Sequence, residues 1–122
     1  MKTENDLHKA VVKYIRNNLP KFIILIPGLG EFQRNEILKR SAYLKGYRPG
    51  SPDLIILTPN GEYNGLAIEF KNQKNKLVIR DNQREFLHDL ETHSKFKTMA
   101  SNSCDEITKL LHEYHDAVNK TP

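Results

Sequence analysis

Apolar residues in this chain switch between two repeat lengths, and the switch points outline its secondary structure. Leu7, Ala10, Val11, Tyr14 and Ile15 recur three or four apart behind Thr3, a good N-cap, and Asn17, Asn18 and Pro20 close that helix. Phe22 to Ile26 is a continuous apolar run, closed by Pro27-Gly28, and reads as a strand. Gly28 and Gly30 straddle Leu29 in a loop. A charged helix is then expected from about Glu31 to Lys45, with Gly46 as its stop signal. Leu54-Ile55-Ile56-Leu57 reads as a buried strand, and Asn60-Gly61 as a two-residue hairpin, because both residues tolerate positive φ. In the returning strand Leu66, Ile68 and Phe70 share one face, while Ala67, Glu69 and Lys71 share the other.

A polar, basic loop follows and leads to a helix expected over Asp81 to His93, with Phe86, Leu87 and Leu90 inward. Phe96 to Ala100 reads as a short strand. Asp105 is the expected cap of a last helix built on Ile107, Leu110, Leu111, Tyr114 and Val118. The order is helix, strand, inserted helix, strand, strand, helix, strand, helix. This predicts one α/β domain over residues 1–118, with 119–122 as a tail.

At 122 residues the chain has room for one core. Hydrophobic content of 38% and charged content of 28% fit a globular protein. No apolar run approaches the roughly 20 residues that a membrane-spanning helix needs. Met1 to Asp6 lacks the apolar segment of a signal peptide, so an intracellular, cytoplasmic location is expected and no membrane partner. The single cysteine, Cys104, excludes an internal disulfide and any multi-cysteine zinc site. His112 and His115 flank the apolar face of the last helix, with no cysteine or acid set to complete a metal site. A net charge of +4 and a pI near 9.2 permit nucleic-acid binding without requiring it.

The chemistry concentrates between positions 50 and 71. Gly50-Ser51-Pro52-Asp53 precedes one strand, and Glu69-Phe70-Lys71 ends the next, sixteen positions after Asp53. Each piece alone has a bland reading. Pro-Asp commonly starts a turn, and Glu-x-Lys is commonly a solvated charge pair. In this order across one hairpin, they bring two carboxylates and a lysine together. Magnesium takes hard oxygen ligands, usually one or two carboxylates completed by water and phosphate. Asp53 and Glu69 can supply the carboxylates, and the Phe70 carbonyl a third oxygen. Lys71 can orient a water and offset charge developing on a phosphate.

Gly50-x-Pro52-Asp53, Glu69-x-Lys71 and Gln83 in Asp81-Asn82-Gln83-Arg84-Glu85-Phe86-Leu87 resemble the virus-type replication-repair nuclease (VRR-NUC) family of the PD-(D/E)xK superfamily. The resemblance covers nearly the whole chain. It implies a restriction-endonuclease-like αβββαβ core, a mixed central sheet flanked by helices, with the helix after the first strand as an insertion. By the same resemblance Asp53, Glu69 and Lys71 are catalytic, Gln83 supports them, and Glu4 at the start of the first helix binds metal directly or through water. His8 stands where the family often has glutamine. Small stand-alone members are common in phages, and the cytoplasm would be the host's if the chain is phage-encoded.

The implied activity is Mg2+-dependent hydrolysis of DNA, with Mn2+ able to substitute. The implied substrates are branched, Holliday junctions or flaps, cut by a homodimer. Lys74, Lys76 and Arg80, just past the second strand of the motif, are the first choice for phosphate contacts. Arg34, Lys39, Arg40, Lys45 and Arg48 form a second set. Two alternatives stay open: a restriction- or recombination-type nuclease of ordinary duplex, and an inactive DNA-binding module of the same fold. A small α/β protein with no nucleic-acid role is the bland reading.

Overall fold

The structure is a computed structural model and is described for residues 3–28, 35–72 and 79–120, with the side chains of 117–120 excepted. Helix α1 (Glu4–Asn18) leads to strand β1 (Leu25–Pro27), helix α2 (Glu36–Leu44) and strands β2 (Leu54–Ile56) and β3 (Gly65–Phe70). Helix α3 (Asp81–His93), strand β4 (Phe96–Ser101) and helix α4 (Cys104–Lys120) complete the chain. The sheet order is β1-β2-β3-β4. The first two pairings are antiparallel and the β3–β4 pairing is parallel, with α3 as the crossover that packs on β4.

Period-two alternation decides which face of β3 meets which layer. Leu66, Ile68 and Phe70 face α1 and α4, together with Leu54 and Ile56 of β2. Leu7, Val11 and Ile15 of α1 and Ile107, Leu111 and Tyr114 of α4 close this core. Burying each such side chain stabilises the fold by about 1.5–3 kcal/mol before entropy is counted. Tyr14 Oη meets His112 Nε2 between the two helices, and Tyr114 Oη donates to the Thr58 carbonyl at 2.6 Å. The opposite face of β3, Ala67 and Glu69, is also buried. This explains why the whole strand is dry, where simple alternation would leave one side wet.

Several boundaries differ from the sequence reading. The first strand is Leu25–Pro27, starting three residues later than its apolar run implies, and Phe22 and Ile24 are exposed. Helix α2 begins at Glu36, capped by Asn35 Oδ1, which accepts from the Leu38 N–H at 2.9 Å; positions 31–34 lie outside the described residues. Asn60-Gly61 is part of a longer loop over 57–64. Only Gly61 has positive φ there, and Asn60 Oδ1 accepts from the N–H groups of Glu62 and Tyr63 at 3.0 and 2.7 Å. An asparagine that binds its own downstream backbone builds a different turn from a two-residue hairpin. Ser103, whose Oγ accepts from the Glu106 N–H at 3.2 Å, takes the capping role expected of Asp105, which falls in the first turn of α4. Phe86, Leu87 and Leu90 of α3 are half-buried, because α3 covers the sheet with one shallow face.

Candidate active site

The β2–β3 register fixes how close the two motif carboxylates come. The last paired residues are Leu54 and Ile68, so Asp53 stands one step further on, beside Glu69 and on the same face. Asp53 Oδ2 accepts from the Phe70 N–H at 2.8 Å, a side chain completing a ladder that the β2 backbone has left. Gly50 prepares this approach. Its φ is +88°, and a Cβ there would lie 2.5 Å from the Asn82 carbonyl oxygen and 2.9 Å from the Gln83 nitrogen. Only glycine lets the Gly50–Asp53 segment lie against the first turn of α3.

That first turn carries Gln83, which joins the remaining groups. Its Oε1 accepts from Lys71 Nζ at 2.9 Å and from the Arg80 N–H at 3.1 Å. Its Nε2 donates to Glu69 Oε1 at 2.8 Å. Lys71 Nζ stands 3.7 Å from Glu69 Oε1, and the Lys71 N–H donates to the Ser101 carbonyl at 2.9 Å, extending the β3–β4 ladder by one bond. Both charged residues are buried, Glu69 4% and Lys71 8% exposed. Burial first, and then the Asp53 carboxylate, push the Glu69 carboxyl up to about 8, against the pull of Lys71.

These groups open onto a cavity of about 430 Å³ that Glu4, Asp53, Glu69, Phe70, Lys71, Arg80 and Gln83 all help to line. Among the described residues no group of three or more His, Cys, Asp or Glu is gathered to hold a metal ion. A hard cation that needs only one or two carboxylates still fits here. One lysine faces two acids, and burial and Asp53 disfavour the ionised form of Glu69, a cost that a bound cation would offset. Glu4 lies across the same cavity and acts on Glu69 more weakly than Asp53 does.

The residues expected to grip phosphate fare unequally. Arg80 lines the cavity. Arg48 instead pairs with Asp89 at 2.8 Å and lies over the Phe86 ring at 4.9 Å, tied to α3 away from the carboxylates. Arg40 is exposed on α2, and Lys39 pairs with Glu36 at 3.5 Å. Arg34, Lys74 and Lys76 lie outside the described residues. Sequence reasoning missed Tyr47, Ser51, Asn82, Asn5 and the cavity-lining position of His8. Ser51 and Asn82 sit inside the motifs and could have been flagged. Tyr47 follows a helix stop and carries no pattern that sets it apart.

Among the described residues a mixed sheet of four strands lies between helices, with acidic groups and a lysine at the ends of its two central strands, and this is the restriction-endonuclease-like architecture. The VRR-NUC domain model matches residues 28–103, and the chain belongs to that family, whose members are nucleases of the PD-(D/E)xK type. Such domains generally use divalent metals and act on DNA. A solved structure described as a VRR_NUC domain protein superimposes with a TM-score of 0.72 at 20% identity, covering 94% of this chain and 89% of that one. No curated protein aligns significantly with the sequence. Among the described residues no helix is long and apolar enough to cross a membrane.

Proposed function

We propose that this chain is a Mg2+-dependent, structure-specific endonuclease that hydrolyses phosphodiester bonds in branched DNA. The observation that carries the proposal is the hydrogen-bonded set Asp53, Glu69, Lys71 and Gln83 at one end of an open cavity. Asp53, Glu69 and the Phe70 carbonyl would hold the ion, with Glu4 available for a second, and a divalent ion supplies Lewis-acid stabilisation of the phosphate and of the attacking water. Mn2+ would serve in its place, since it takes the same oxygen ligands.

The protein's own groups do the rest. Gln83 fixes both the carboxylate of Glu69 and the ammonium of Lys71, so neither spends entropy finding its position when substrate arrives. Lys71 orients the attacking water and meets negative charge as it develops on the phosphate oxygens. Arg80 at the cavity rim contacts a phosphate of the bound strand, and Lys74, Lys76, Arg34 and Arg40 add further contacts. Nothing in these groups reads base edges, which favours recognition of shape.

A homodimer would match the two strands that must be cut in a symmetric junction. Its support is the apolar surface that the chain leaves uncovered. Helix α2 buries none of its residues, and Ile37 is 81% and Leu44 68% exposed. Among the described residues strand β1 is a sheet edge, and exposed Phe22 and Ile24 precede it. The test of the function is cleavage of a labelled four-way junction, a flap and a plain duplex, each with Mg2+, Mn2+ or EDTA. Metal-dependent cutting confined to the branched substrates is expected. Equal cutting of plain duplex would move the assignment to a restriction-type enzyme. Binding without cutting in any metal would mean an inactive module.

A further inference from the structure

The active-site cavity continues along α1. Asn5 and His8 line it and also line a second cavity, of about 480 Å³, that passes Lys9, Lys13 and Arg16. We propose that this stripe of α1 is the track for the phosphate backbone of the strand that enters the site, an inference that rests on the nuclease reading above. The three cations follow one another four and three residues apart, the spacing that lines up neighbours on a helix surface. The core-facing stripe of the same helix, Leu7, Val11 and Ile15, leaves all three exposed.

Two features separate this stripe from ordinary solvated charge. An exposed helix face usually carries carboxylates among its lysines, but here the acids of α1, Glu4 and Asp6, are both in the first turn, at the active-site end. Among the described residues, moreover, none of the three cations pairs with a carboxylate, whereas Lys39, Arg48 and Arg84 pair with Glu36, Asp89 and Asp81. Lys21, Arg40, Lys45 and Lys95 also lack a carboxylate partner among the described residues, but the α1 cations alone of these line a cavity that shares Asn5 and His8 with the active site. From Lys9 to Arg16 the helix rises about 10 Å. A row of that length is matched by a few successive phosphates of one strand. A repeating anion is the ligand that such a row fits.

The experiment is fluorescence anisotropy of the full chain with labelled duplex and single-stranded DNA in EDTA, over about 50–300 mM salt. Wild type is compared with the triple variant K9Q/K13Q/R16Q and with K9R/K13R/R16K, which keeps the charges. Glutamine at the three positions should weaken binding at least about tenfold and lower the log–log salt slope by about 2–3. The charge-retaining variant should stay within about twofold of wild type. An unchanged slope in the glutamine variant overturns the track, as does an equal loss in both variants. If wild type itself binds no DNA, the nuclease reading fails and the track with it. If wild type binds and cuts while the glutamine variant binds equally well, the track alone fails.

Discussion

Replacing Glu69 by glutamine should abolish cleavage and yet make the metal-free protein more stable at alkaline pH. The carboxyl is moved from 4.5 to about 8, chiefly by burial and then by Asp53. A group with raised folded-state pKa stabilises the fold fully below its unfolded value and loses that contribution as pH rises through the folded one. Metal-free wild type should therefore lose stability between about pH 4.5 and 8. Each tenfold change in proton affinity corresponds to about 1.4 kcal/mol, which sets a ceiling of about 4–5 kcal/mol. Water entry and movement of Lys71 lower the cost of the charge, leaving an expected gain for Glu69→Gln of about 1–3 kcal/mol at pH 8.

The amide suits the site because its oxygen can still accept from Gln83 Nε2 and its NH2 can donate to Asp53, as the protonated acid does. For a domain of this size the gain corresponds to about 3–10 °C in Tm. Thermal unfolding in EDTA at pH 5 and pH 8 is the assay. Wild type and variant should coincide at pH 5 and separate at pH 8, with the variant higher. A variant less stable than wild type at pH 8 would refute the reasoning, and so would a wild type whose Tm does not fall over that range.

Three further outcomes can be checked alongside. Adding Mg2+ or Mn2+ at pH 8 should raise the Tm of wild type and release protons, while Glu69→Gln should show neither effect in thermal shift and titration calorimetry. Gly50→Ala should destabilise the fold by about 2 kcal/mol or more in denaturant unfolding, because of the φ of +88° and the 2.5 Å approach to the Asn82 carbonyl. Ile37→Glu with Leu44→Glu should convert a dimer to monomer in sedimentation at unchanged Tm, as both side chains are exposed on α2; a wild type already monomeric would remove the dimer from the account.

What the sequence made legible follows from how local each signal is. Helices α1 and α3 and strands β2 and β3 are written in periodicity and caps within a dozen residues. The spacing of Asp53, Glu69 and Lys71 could be read because one antiparallel pairing suffices to bring them together. Gln83 entered only through family resemblance, since nothing local says that the start of α3 returns to the end of β3. The packing of α1 on α4 joins residues 98 positions apart, and no pattern in either helix names the other. The Asn60 turn differs from the expected hairpin because Asn-Gly serves two turn chemistries, and the side-chain bonds that choose between them are not visible in the letters. The raised proton affinity of Glu69 depends on cover from α3, so it too had to await the fold.

The most direct test of the proposed site is single-turnover cleavage of an end-labelled four-way junction by wild type and Lys71→Ala, each in Mg2+ and in EDTA. Wild type should cut in Mg2+ and not in EDTA, and Lys71→Ala should be slower by about a hundredfold or more, the loss expected for a group acting on transition-state charge. A folded Lys71→Ala protein that cuts at the wild-type rate, or wild-type cutting that persists in EDTA, would contradict the site at its centre.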